Sequence, residues 1–354
     1  MYMFTRIKTM KVLLMVPVLS LGLLGCREED PRGLADQPYD RTEFLLGTVA
    51  NMKVYNEGQE EALDKAFERV QELDELFAMQ NPESEISEVN RQAGIEPVEV
   101  SEEVFHVMKR ALYYAEESGG SFDPTIGVVT SLWGIGQDDA AVPEANELAE
   151  AVALVDYQKV ELNEAEQTVY LQEEGMVLDL GAIAKGYITD EAARVLVEEG
   201  VNTAIVDLGG DIVVVGNSTR GEDQPWNVGI QNPYGERGEI LGIVPVSDRA
   251  IVTSGIYERL VRDGDDEYHH LMDPETGFPI DNNISGISII ADNAMDADAL
   301  VNIAFSLGVE DGLNYINGLE DVEVIYITNE MEIYASEGIN EQIEIRDNDF
   351  EMMN

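Results

Sequence analysis

The run from Met176 to Gly200, MVLDLGAIAKGYITDEAARVLVEEG, sets the tightest limits on how this chain folds. Met176-Val177-Leu178 is apolar and reads as the end of a strand. The chain then turns at Asp179-Leu180-Gly181, and a helix runs on to Gly200, a C-terminal cap. Ala184, Ile188, Ala192 and Val195, with Leu196 beside them, form one apolar stripe, so that helix face packs against the rest of the protein. Chemistry is possible at the mouth of this unit. Gly181 admits another group close to the backbone. The free N–H groups of a helix start attract phosphate. Lys185 sits in the first turn, where a cation is unfavourable unless an anion is near, and Asp179 adds a carboxylate. The same residues also describe a glycine turn with a surface lysine, and no standard phosphate-loop pattern is present.

The N-terminus has a different character. Arg6, Lys8 and Lys11 precede an apolar run from Val12 to Leu24 that is too short to cross a bilayer comfortably and reads as a secretory signal. The run ends Leu23-Leu24-Gly25-Cys26, and Cys26 is the only cysteine. A small residue before a lone cysteine resembles a bacterial lipobox. The implied product begins at a lipidated Cys26 and is anchored on the extracytoplasmic face of the cell membrane; the other reading is an ordinary signal peptide with a stray cysteine. Residues 1–25 are then the signal, 26–40 a polar tether, 41–340 the folded domain and 341–354 an acidic tail. A single cysteine leaves no intramolecular disulfide.

Charge narrows the partners. The net charge is −50, and none of the 71 acidic residues lies in the first 26, so the exported part is more acidic still. Such a surface repels nucleic acid and anionic membranes. An anionic ligand is repelled at long range as well, so its site needs local cations or backbone N–H groups.

Thr42–Tyr55 reads as a strand pair about Gly47-Thr48, and Glu60–Met79 as an amphipathic helix. Ser84–Asn90 is a short turn or helix, and Ser101 caps a further helix ending near Gly119-Gly120. Asp123-Pro124 marks a turn, and Val160–Leu162 with Thr168–Leu171 a hairpin. Thr203–Asp207 is a strand that Leu208-Gly209-Gly210-Asp211 interrupts and Ile212–Val215 resumes. Trp226–Ile230, Ile240–Val246, Ala250–Gly255 and Ile284–Ile290 are further strands. Asn293–Leu307 is a helix capped by Gly308, and Val322–Ile327 pairs with Met331–Tyr334. Strands and helices mix without regular alternation, which predicts α+β rather than a doubly wound sheet.

Two groups of residues carry chemistry by their type. Asp298 and Asn302 are four apart on one helix face, and both are oxygen donors suited to a hard cation such as magnesium, although solvated helix faces often carry such a pair. His269 and His270 are adjacent and face opposite ways if extended. One of them is a candidate general base, or both are plain imidazoles. His106 lies on a helix and is structural.

Several stretches, taken in order, carry a resemblance. They are Leu46-Gly47-Thr48, Ser84-Glu85-Ile86 with Asn90, Gly120-Ser121-Phe122-Asp123-Pro124-Thr125, Leu132-Trp133-Gly134 and Asp179 to Gly186. Leu208-Gly209-Gly210-Asp211, Thr253-Ser254-Gly255 with Tyr257, His270 with Asp273-Pro274 and Thr276-Gly277, and Asp298-Ala299-Leu300 follow. Together they resemble the ApbE family, the FAD:protein FMN transferases, over nearly all of the mature chain. The resemblance implies a single T-fold-like α+β domain with mixed sheets and packed helices. It implies FAD as substrate, Mg2+ as cofactor, and transfer of FMN through a phosphoester bond to a threonine or serine hydroxyl of another protein, releasing AMP. Carried over by position, Leu46, Gly47, Thr48, Ser121, Phe122, Asp123, Asp179, Lys185 and His270 would contact FAD. The Ala182 carbonyl, Asp298 and Asn302 would hold the metal. His270, which would activate the acceptor hydroxyl, and Asp298 would be the catalytic residues. The implied partners are exported acceptor domains of flavinylated respiratory electron-transfer proteins. This chain departs from the family at Asn302, where threonine is usual, and at Leu46, where methionine is frequent. If water replaces the acceptor, the same site is an FAD pyrophosphatase. If Asn302 marks lost catalysis, it is a flavin-binding lipoprotein.

Overall fold

The computed structural model describes residues 32–264 and 266–353, so the signal segment and Cys26 lie outside the described residues. β1 (Leu34–Leu45) and β2 (Thr48–Asn56) form an antiparallel hairpin. Its turn residues Leu46 and Gly47 both have positive φ, 55° and 67°, as a two-residue turn between twisted strands requires. α1 (Glu60–Phe77) buries Leu63, Ala66, Phe67, Val70 and Leu73, the stripe its sequence predicts. α2 (Glu85–Arg91), β3 (Val98–Glu99) and α3 (Glu102–Glu117) follow, with Ser84 and Ser101 accepting hydrogen bonds from the first-turn amides of the two helices. α4 (Gly127–Trp133) and α5 (Ala145–Val152) enclose a satellite core around Trp133. β4 (Val160–Asn163) and β5 (Thr168–Leu171) are the expected hairpin, joined by β3.

α6 (Ala184–Glu198) leads into β6 (Ala204–Leu208) and β7 (Asp211–Val215). Gly209-Gly210 does not interrupt one strand: it reverses the chain, and β6 and β7 pair antiparallel. β8 (Trp226–Gln231), β9 (Ile240–Val246) and β10 (Arg249–Gly255) come next. Then β11 (Leu260–Asp263) and β12 (Asp266–His269) form a small hairpin. β13 (Ile284–Ala291) precedes α7 (Ala294–Ile316), which is broken at Gly308 (φ 76°, ψ 179°), where the sequence predicts a helix end. β14 (Glu323–Thr328), β15 (Glu332–Ala335), β16 (Glu344–Ile345) and β17 (Glu351–Met352) complete the chain.

The architecture is α+β, with three layers. A nine-stranded sheet of order β1-β2-β6-β7-β10-β13-β14-β15-β17 lies in the middle, antiparallel except for β15 with β17. Side chains alternate across it. Ala250, Val252, Ile287, Ile289, Val324 and Tyr326 face the helices, whereas Ile251, Ile290, Ile325 and Ile327 face the β16-β9-β8 sheet. Two assigned boundaries shift. Residues 34–40 of the tether belong to β1, and the acidic tail is built in, with β16 on β9, β17 on β15 and Phe350 buried.

α6 and α7 cross so closely that a methyl group at Gly186 would lie 2.2 Å from the Ala294 carbonyl oxygen. The helices cap each other there. Asp190 on α6 accepts from the Ala294 and Met295 N–H groups (2.7 and 2.9 Å), and Asp298 on α7 accepts from Gly186 N–H (3.1 Å). Gly186→Ala is therefore expected to destabilise the fold by about 1–3 kcal/mol or more, as overpacking does. A thermal melt checks this; an unchanged midpoint would mean that the crossing opens at no cost.

Candidate active site

Met176-Val177-Leu178, expected as a strand end, buries Met176 and Leu178 but forms no regular strand. Val177 makes one isolated parallel bridge to Ile126. Asn90 clamps Leu178 instead: its Nδ2 donates to the Leu178 carbonyl (3.1 Å) and its Oδ1 accepts from the Leu178 N–H (2.7 Å). A side-chain amide thus satisfies backbone groups that a strand partner would otherwise pair. Asp179 then builds the turn, Oδ1 accepting from Gly181 N–H (2.9 Å) and Oδ2 from the Thr130 hydroxyl (2.7 Å).

Two expectations about this mouth change. The first turn of α6 is not an open anion cradle, because Asp298 takes the Gly186 N–H. The close backbone approach is also at Gly186. A methyl group at Gly181 would meet only Asp179 Oδ1, at 3.1 Å.

A cleft of about 1380 Å3 opens here. Leu46, Gly47, Thr48, Ser121, Phe122, Asp123, Asp179, Ala182, Lys185, His270, Asp298 and Asn302 all line it. Its walls come from the β1–β2 turn, the segment after α3, the start of α6, the end of β12 and α7. Residues scattered over the whole domain meet at one place, and the cleft is larger than most small-molecule pockets.

The electrostatics centre on Lys185. It ion-pairs with Asp211, which is fully buried and opens β7 just behind the cleft wall. Burial pulls the ammonium down, but Asp211 and Asp298 outweigh it and hold Lys185 well above its ordinary value. Burial pushes Asp211 and Asp298 up, and the Asp298 charge further opposes ionisation of Asp211. Two buried carboxyls thus compete for one ammonium, and a bound cation would favour the ionised form of the second. The donors beside it are Asp298, the Asn302 amide and the Ala182 backbone. All are oxygen donors, which fits a hard cation. Among the described residues no three His, Cys, Asp or Glu side chains group as metal ligands, so such a site rests on amide and backbone oxygens beside Asp298.

Two buried polar atoms of the cleft lining, Ser121 Oγ and His270 Nδ1, have no hydrogen-bond partner among the described residues, and Asp211 Oδ2 behind the wall has none either. Buried polar groups are normally paired, so such a concentration fits a site completed by a ligand. His270 is pushed down to about 3 by burial, then by the nearby Arg259 charge, so at neutral pH it is the uncharged imidazole. His269 faces away, its Nε2 against the Ile280 carbonyl at 3.0 Å.

Residues 46–326 match the ApbE family. The chain belongs to the ApbE family. A protein of Treponema pallidum (strain Nichols) named FAD:protein FMN transferase is 36% identical over 324 residues, which is 87% of this chain and 90% of that one. A protein of the same name from Klebsiella pneumoniae (strain 342) is 32% identical over 299 residues, 84% of this chain and 92% of that one. The crystal structure of the ApbE protein from Thermotoga maritima is similar with a TM-score of 0.79 at 29% identity, covering 85% of this chain and 98% of that one. Flavin transferase ApbE from Vibrio cholerae is similar with a TM-score of 0.74 at 27% identity, covering 85% and 97%.

Within this ApbE fold some motif residues serve the scaffold. Asp123 uses Oδ1 for the Thr125 N–H and hydroxyl (2.8 and 2.6 Å) and Oδ2 for the Tyr157 N–H (2.9 Å), so it shapes the cleft wall. Glu85 accepts from the Ser101 N–H and hydroxyl, both at 2.8 Å. Trp133 Nε1 donates to the Gly277 carbonyl at 2.8 Å and ties the two motif turns together. Four charged residues of the site escape a reading of the sequence: Asp211, Arg237, Glu258 and Arg259. Only Asp211 had a signal, its place after two glycines.

Proposed function

We propose that this chain transfers FMN from FAD to a threonine or serine hydroxyl of another protein and releases AMP. The observation that carries the reading is the meeting of all the residues assigned to FAD and metal in one cleft with unpartnered buried polar atoms. The names of the similar proteins support the same chemistry.

In this reading the acceptor oxygen attacks the phosphorus on the FMN side of the diphosphate. A phosphoester bond forms, the bond from that phosphorus to the bridging oxygen breaks, and AMP leaves with that oxygen. The neutral imidazole of His270 takes the proton of the acceptor hydroxyl; an anionic diphosphate beside it raises its affinity for that proton. Asp298, Asn302 and the Ala182 carbonyl would hold magnesium, which when bound offsets charge on the diphosphate. Lys185 remains charged and supplies a fixed positive group at the cleft floor.

The test is AMP release from FAD with magnesium, with and without a threonine-containing acceptor domain, while flavin is followed on the denatured acceptor. Acceptor-dependent AMP with covalent flavin is expected. AMP without acceptor would point to hydrolysis, and FAD binding without AMP to a binding protein. The proposal places the enzyme on the extracytoplasmic face of the bacterial membrane, held by lipid on Cys26 and serving exported domains of respiratory electron-transfer proteins. Cys26→Ala is expected to move it from the detergent-extracted membrane fraction to the soluble one. Retention in that fraction would refute the anchor.

A further inference from the structure

We infer that Arg237 and Arg259 form a built anion-binding pair at the cleft that takes the diphosphate of the dinucleotide. The inference rests on reading the cleft as an FAD site.

Cations are scarce in a chain of net charge −50. Among the described residues, every Lys and Arg side chain other than these two hydrogen-bonds or ion-pairs within the protein. Arg237 and Arg259 have no such side-chain partner, and both line the same cleft. Carboxylates are abundant on this protein and also line this cleft, yet none of them pairs with Arg237 or Arg259, so two guanidinium groups left open at one place is a distribution that an anionic ligand explains.

Both are carried on ordered backbone. Arg237 sits in the β8–β9 connection. Gln231 fixes that loop, with Nε2 donating to the Asn232 and Glu236 carbonyls (2.9 and 3.1 Å) and Oε1 accepting from Gly238 N–H (2.9 Å). Arg259 lies between β10 and β11, and its stem crosses Gly136. A methyl group there would stand 3.4 Å from Arg259 Cδ, and the φ of Gly136 is +92°. Asp207 and Glu258 lie within electrostatic range of Arg237, and Glu258 within range of Arg259, but neither makes an ion-pair contact. They moderate the positive field and leave the planar donor forks open.

Lys185 cannot do this work alone, because it is paired with Asp211 and faces Asp298. An anionic dinucleotide approaching this surface is repelled at long range. Open guanidinium groups give phosphate a bidentate partner at close range.

The experiment compares the full-length protein with Arg237→Gln, Arg259→Gln and the double variant. Affinities for FAD, ADP and riboflavin are measured by calorimetry at low and high salt. Each single variant is expected to weaken FAD and ADP about tenfold or more, to flatten the salt dependence, and to leave riboflavin affinity unchanged. Unchanged FAD and ADP affinities would overturn the inference. If in addition acceptor flavinylation falls, the pair serves the acceptor protein instead. Equal loss for riboflavin would also overturn it, because the effect would then be one of shape. A wild-type protein that binds none of the three would overturn the FAD reading itself.

Discussion

Asp298→Ala is expected to lower magnesium-dependent AMP release by about a hundredfold to a thousandfold, the scale on which removing one preorganised electrostatic partner acts on a transition state. Two roles meet in this carboxylate. Its Oδ2 accepts from Gly186 N–H and so completes the start of α6, and it faces the cleft as the only carboxylate in the donor set assigned to the cation. Asp298→Asn separates them. An amide oxygen can still accept the Gly186 N–H, so the melting midpoint should stay near wild type, but the charge is gone and turnover should fall as far as in the alanine variant. Asn302 cannot compensate for the lost charge, because its amide oxygen is neutral; its Nδ2 donates to the Asp298 backbone carbonyl at 3.2 Å. Single-turnover AMP release across a magnesium titration reads the effect. Wild-type turnover that persists in chelator, or an Asp298→Asn variant with undiminished turnover, would remove the metal assignment.

What a reader of the sequence could recover depends on how local the cause is. The β1–β2 hairpin, α1 and the Ser101 cap rest on spacing within one element, and they are placed as expected. The kink at Gly308 is also a local cause. β11, β12, β16 and β17 are short and mostly polar or acidic. Their pairing is set by a neighbouring backbone, so no alternation announces them. Met176–Leu178 misled for the same reason, since the apolar run is real but Asn90, far away in sequence, takes the backbone groups of Leu178. The candidate site follows this division. Motif order brought its lining residues together, because each motif is a short continuous string. The reciprocal capping of α6 and α7, and the pairing of Lys185 with Asp211, depend on three-dimensional crossing and were invisible.

That buried pair carries the other large expected effect. Asp211→Leu should destabilise the protein by about 3 kcal/mol, because it leaves the Lys185 ammonium without its contact partner at a mostly buried position. The alternative is that Lys185 swings to Asp298, the other carboxylate that acts on it. Denaturant unfolding decides between these. If the single variant keeps wild-type stability while needing more magnesium for half-maximal turnover, Lys185 has taken the carboxylate assigned to the cation, and the predicted loss of stability is wrong. The double variant Asp211→Leu, Lys185→Met replaces both charges by apolar groups, and such replacements of buried pairs are often neutral or better. It should recover most of the lost stability and still fail to turn over FAD. Recovery of stability without activity would show that Asp211 and Lys185 are kept for the chemistry of the cleft, at a position where two hydrocarbon side chains would hold the fold equally well.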